Sequence, residues 1–184
     1  MRAVSRRPFL VAALLGLTGS AIGPAAAVDV AVIEARVDAA LVELRTTVPG
    51  AELLLERAYG VLVMPQITNA GFVLGGTYGE GALRIDGVTA AYYSIAGGSL
   101  GLQAGVERFS QVLLFMTEAA LADFRSADGW EAGVDAEVTL LEAGFDAGAG
   151  TQVTNRPVIG IVFGQTGLLA GASVRGTKYT RIQR

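Results

Sequence analysis

The sequence predicts an α+β domain: a twisted, mainly antiparallel, glycine-rich sheet curled toward a barrel, with about three helices packed on it. Three observations carry this. Residues 70–81 (A-G-F-V-L-G-G-T-Y-G-E-G) alternate bulky and minimal side chains with the period of a strand. The pattern returns at 95–105 and, more loosely, at 167–176. Apolar residues recur at intervals of three and four near residue 30, and a shorter helical run begins after residue 117. In the first glycine stretch Phe72, Leu74 and Tyr78 share one face, while Gly71, Val73, Gly75, Thr77, Gly79 and Gly81 share the other. Glycine weakens a strand, so such a row makes physical sense where another backbone, a helix or a ligand approaches closely. Gly75, Gly79, Gly81, Gly97, Gly101 and Gly105 are the candidate positions for that approach, and helices are expected to cover this face.

Residues 1–27 read as an export signal. Arg2, Arg6 and Arg7 precede an uncharged segment that ends in Ala25, Ala26 and Ala27, small residues that a signal peptidase accepts. The run Ser5-Arg6-Arg7-Pro8-Phe9-Leu10 fits a twin-arginine signal, and an ordinary secretory signal is the alternative route. Under the twin-arginine reading, replacing Arg6 and Arg7 together by Lys stops processing and periplasmic accumulation. Unchanged processing, combined with arrest by a secretory-pathway block, contradicts it. The mature portion, residues 28–184, is expected to form a single domain.

Val30, Ile33, Val37, Leu41, Leu44 and Val48 mark an amphipathic helix over 29–47, broken by Pro49-Gly50. Residues 51–59 read as a second short helix that Gly60 caps. Residues 61–64 form a short buried strand ended by Pro65, and 66–69 a hinge into the glycine strand. Asp86-Gly87 lies between two apolar stretches and predicts a hairpin turn. Thr117 is an N-cap for a helix through Ser126, and Asp128-Gly129 ends it. Residues 130–141 alternate and read as one strand. Residues 158–163 and 168–182 read as a closing hairpin around Gly164-Gln165-Thr166-Gly167.

Composition narrows function further. There is no cysteine and no histidine. Disulfides, thiolate metal sites and the side chain best suited to proton transfer at neutral pH are therefore excluded. No catalytic residue, metal site or cofactor is expected. Charge is uneven. Residues 28–146 carry six arginines and all seventeen acids, a net of −11, whereas residues 147–184 carry Arg156, Arg175, Lys178, Arg181 and Arg184 and no acid, a net of +5. An acidic body with one basic end does not suit nucleic acid and meets an anionic surface only through that end.

Gly97-Gly98-Ser99-Leu100-Gly101 satisfies the G-x-S-x-G pattern of a nucleophile elbow, but the chain has no histidine to take the serine proton and a single lysine, Lys178. Gly171 to Lys178 resembles a phosphate loop with its last two residues exchanged, which removes the lysine from reach of the phosphates. The pairs Glu80 with Asp86 and Asp135 with Glu137 read as ordinary solvated carboxylates.

The runs G-V-L-V-M-P at 60–65, A-G-F-V-L-G-G-T-Y-G-E-G at 70–81, G-G-S-L-G-L-Q-A-G at 97–105 and G-L-L-A-G-A-S-V-R-G at 167–176 resemble, in their order, the motifs of the SYLF, or Ysc84-like, domain. The resemblance covers roughly residues 50–182. It implies lipid binding, with phosphoinositide binding and actin association in eukaryotic members, and brings no catalytic residues. The helix at 29–47 has four acids and two arginines, where eukaryotic relatives attach through a basic segment, which argues against phosphoinositide and actin partners. The expectation is a non-enzymatic lipid-binding protein of the cell envelope, favouring anionic lipid. Arg175, Lys178 and Arg181 are the candidate headgroup contacts, with Arg175 and Arg181 on one strand face and Lys178 on the other. A structural or partner-binding envelope protein without lipid is the alternative.

Overall fold

The computed structural model describes residues 29–141, 156–167 and 177–184; within its strands, the side-chain surroundings of 71–74, 99–104 and 167 fall outside the description. The proposed export signal and Arg175 therefore lie outside the described residues.

Helix α1 (Val30–Thr47) starts where the Asp29 carboxylate accepts the Ala31 N–H at 2.8 Å. Its buried stripe is Ile33, Val37, Ala40 and Leu44, continued by Val48; Ala40 joins the face and Val30 is exposed. Gly50, with φ of 78°, turns the chain into α2 (Ala51–Arg57). That helix ends at Ala58, so Gly60 opens the first strand instead of capping the helix.

A hairpin of two very long strands, β1 (Gly60–Ile85) and β2 (Val88–Phe115), dominates the molecule. The expected break at Pro65 is absent. Met64 pairs with Gln111 and Ile67 with Phe109, so β1 carries one extra residue there, and Gln66 takes φ of 52°. A proline with no N–H is accommodated by this bulge, and the strand runs on. Asp86 and Gly87 both have positive φ, at 51° and 77°, and close the two-residue turn between Ile85 and Val88.

At about 3.3 Å per residue a straight β1 would span roughly 85 Å, far beyond a domain whose expected radius of gyration is about 15 Å. The hairpin bends instead. A Cβ placed on Gly81 would lie 2.0 Å from the Val63 carbonyl oxygen, and one on Gly79 would lie 3.1 Å from Ile67 Cγ1. The late part of β1 thus crosses over its own beginning.

β2 is the central strand. One edge is taken by β1, and the other by β5 (Val158–Gly167) against 107–115 and β6 (Lys178–Ile182) against 92–96. β4 (Val138–Leu141) adds in parallel to β5, and β3 (Trp130–Glu131) pairs with β6. The result is an α+β fold with a mostly antiparallel, curled sheet and three helices among the described residues.

Two expected elements differ. Residues 130–141 are not one strand: Asp135 Oδ2 accepts the Glu131 N–H at 2.6 Å, Gly133 has φ of 83°, and Val134 is 71% exposed. A tight turn has captured an alternating sequence. Nor do β5 and β6 pair with each other; both pair with β2. Gly164 has positive φ because two β5 residues bulge opposite Phe109, and β5 continues through it.

The sheet is covered on both faces. α1 and α2 pack Ile33, Val37, Leu44 and Leu54 on Val63, Val112, Ile159 and Ile161. On the other face α3 (Glu118–Ser126) packs with Met64, Ile67, Ile95, Phe115, Trp130 and Tyr179. Thr117 caps α3 through the Ala120 N–H at 3.2 Å. Among the described residues no helix is long and apolar enough to cross a membrane, which leaves strands out of account.

Candidate functional site

The glycine row and the basic C-terminal edge are the two features to place. Gly79 and Gly81 lie on the face that holds Tyr93 and Ile95, their cross-strand partners. What approaches them is Val63, Met64, Ile67 and Ile95, strand residues and not a helix. Gly75, Gly97 and Gly105 are half-buried near the bend, and the surroundings of Gly101 lie outside the described residues. On the opposite face Gly76 and Gly98 pair across the hairpin, and a Cβ on either would meet nothing within 4 Å.

Glu107 is 1% exposed, yet its Oε2 has no hydrogen-bond partner. Burial pushes its carboxyl above the ordinary range. The folded state then holds this proton more tightly than the unfolded chain does. Its contribution is greatest below the unfolded pKa, falls as pH rises toward the folded value, and stays low at neutral pH. Glu107→Gln, which removes the charge but keeps an amide of the same shape, is therefore expected to stabilise the fold at pH 7. The gain should fade in melts taken below the ordinary carboxylate range. A variant less stable than wild type at neutral pH would show that the ionised carboxylate has a favourable partner.

The basic end is sorted by pairing. Arg156 Nη1 contacts Glu137 Oε1 at 3.4 Å. Arg184 pairs with Glu80, a side chain only 6% exposed that also accepts from the Tyr78 hydroxyl at 2.6 Å. Burial and Glu80 together push the Tyr78 hydroxyl up. Lys178 and Arg181 are exposed and make no ion pair among the described residues. They lie at odd and even positions of β6, on opposite faces. The Lys178 stem crosses Gly129, where a Cβ would sit 2.3 Å from Cε and φ is +107°. Arg181 lies on the α3 side. Burial raises the Tyr93 hydroxyl, and the charges of Arg181 and Arg125 both pull the other way. Arg125, in the last turn of α3, thus acts on the same Tyr93 hydroxyl as Arg181, which sequence spacing did not reveal.

Three of the four carboxylates noted in the sequence have structural partners: Glu80 holds Arg184, Asp135 holds the Glu131 N–H, and Glu137 faces Arg156, while Asp86 makes no ion pair among the described residues. Across the sheet, Glu34 accepts from Arg84 at 2.6 Å, Thr89 at 2.9 Å and Tyr92 at 2.6 Å, and Arg84 also reaches Asp38 at 2.7 Å. Burial alone would raise the Glu34 carboxyl, but the Tyr92 and Thr89 hydrogen bonds and the Arg84 charge hold it below the ordinary range. This network ties α1 to the hairpin tip. Among the described residues no three acidic side chains converge as a metal ion would require.

Residues 96–183 match the family model Ysc84, described as Las17-binding protein actin regulator. A relative from Aeromonas veronii, Beta cell expansion factor A, is 30% identical over 148 residues, which are 80% of this chain and 55% of that protein. Over residues 96–183 the chain carries a Ysc84, or SYLF, domain. The matched segment of this Ysc84 domain contains β6 and most of β2, and so both Lys178 and Arg181. The chain spans about 55% of the length of the relative it matches. The family is one of binding domains, of lipid-binding type.

Proposed function

We propose that this chain is a non-enzymatic lipid-binding protein of the cell envelope, exported by its N-terminal segment, that meets anionic membrane through its basic C-terminal edge. The observation that carries the reading is the selective pairing of the basic residues. Arg156 and Arg184 are neutralised, while Lys178 and Arg181 keep their charges exposed. Each basic residue near an anionic surface contributes on the order of 1 kcal/mol. The acidic body is repelled by the same surface, so this end leads the approach.

The alternative, a partner-binding envelope protein without lipid, draws on Gly79 and Gly81. There the glycine face is filled by the protein's own strand, as a packing surface requires. Flotation on anionic vesicles separates the two. Arg175→Glu combined with Arg181→Glu is expected to lower affinity at least about tenfold, roughly 1.4 kcal/mol, and wild-type binding should weaken steeply with salt. A folded double variant that floats as wild type does would remove the basic edge from the mechanism. No flotation of wild type on any vesicle would favour the second reading.

A further inference from the structure

An open groove of about 810 Å³ lies between the end of α2, the hairpin tip and α3. Two guanidinium groups, Arg57 and Arg125, and three carboxylates, Glu56, Asp86 and Glu118, line it. All five residues are exposed, and none makes an ion pair or a side-chain hydrogen bond among the described residues. Arg57 and Arg125 stand in last helical turns and Glu118 in a first turn, placements that suit the helix dipoles. The dipoles account for where each sign sits. They do not account for opposite charges sharing one groove without pairing.

We infer that this groove binds a zwitterionic phosphodiester, a phosphate and an ammonium in one small ligand. A simple anion would meet three carboxylates and a simple cation two guanidiniums. Only a ligand carrying both signs is matched. The guanidinium forks suit phosphate oxygens. The carboxylates, with the exposed ring of Tyr59 on the same rim, suit an ammonium. Ile85 and Leu121 supply an apolar floor, and the volume falls within the range of small-ligand sites. The ligand chemistry is that of ethanolamine and choline phospholipid headgroups and equally of the free phosphodiester. The lipid source rests on the proposed membrane-binding function.

Titration of the isotope-labelled chain with glycerophosphoethanolamine, followed by amide chemical shifts, tests the site. Shifts are expected at 56–59, 85–87 and 118–125, with affinity at least tenfold weaker in Arg57→Gln and in Glu118→Gln. Flotation on neutral phosphatidylcholine and phosphatidylethanolamine vesicles, lost in the same two variants, assigns the ligand to lipid. Soluble binding without flotation supports the site and assigns it to the free phosphodiester. Absent shifts, shifts elsewhere, or shifts indifferent to both variants overturn the inference. Because glycerophosphoethanolamine and the neutral vesicles carry no net charge, failure of the basic-edge reading, which needs anionic lipid, remains distinguishable from failure here.

Discussion

Gly81→Ala is expected to destabilise the fold by at least about 3 kcal/mol, the upper end of the range for overpacking. The added Cβ would stand 2.0 Å from the Val63 carbonyl oxygen and 2.9 Å from both the Val63 carbonyl carbon and Met64 Sδ. The thioether can move, since it ends a flexible side chain, but the carbonyl belongs to the strand beneath. Relief therefore requires the two arms of β1 to separate where they cross, exposing Met64, Ile67 and Leu83, all fully buried. Gly76→Ala and Gly98→Ala are the controls. Each points into open space, so the lower entropic cost of ordering alanine should leave stability unchanged or raise it by about 0.5–1 kcal/mol. Denaturant unfolding of the three variants measures the difference. A Gly81→Ala protein within about 1 kcal/mol of the controls, inside the spread of overpacking costs, would show that the arms of β1 do not cross in this way.

The sequence made this contact half legible. A row of glycines on one strand face announces close approach, because glycine there weakens the strand and offers nothing to pack. What approaches was not legible: Val63 lies eighteen positions away on the same strand, behind a Pro65-Gln66 step that reads as a break. A bulge and a break have the same local signature, and only the pairing with β2 tells them apart. Local devices were read well. Asp86-Gly87 closes its turn, Thr117 caps its helix, and the α1 stripe gains Ala40, keeps Leu41 half-buried and loses the exposed Val30. Gly164 illustrates the opposite case, since a positive φ serves a bulge as readily as a turn. The charge pairs were invisible for a related reason. Glu80 and Arg184 are 104 positions apart, and Arg125 and Arg181 act on one hydroxyl only because α3 and β6 both pack around Tyr93.

That packing motivates the remaining prediction, for Phe124→Ala. Phe124 is 1% exposed and sits at the centre of an aromatic cluster. Its ring centroid lies 4.7 Å from Phe115, 4.8 Å from Tyr93, 5.4 Å from Trp130 and 6.5 Å from Tyr179. The Tyr179 hydroxyl, pushed up to about 12 by burial against the opposing hydrogen bonds of Thr177 and Gln111, marks how dry this side of the sheet is. Truncating a buried phenylalanine typically costs about 3–5 kcal/mol. The upper part is expected here, because rings fixed by the sheet and by each other cannot collapse into the gap. α3 has nine residues and is too short to persist without this anchor. Loss of the ring should therefore raise amide exchange throughout α3 before it affects α1, which is held to the opposite face by Ile33, Val37 and Leu44. Phe124→Leu keeps most of the volume and should retain most of the stability. Equal acceleration of exchange in α1 and α3 would mean that the two faces of the sheet unfold as one unit, and that α3 has no separate tether.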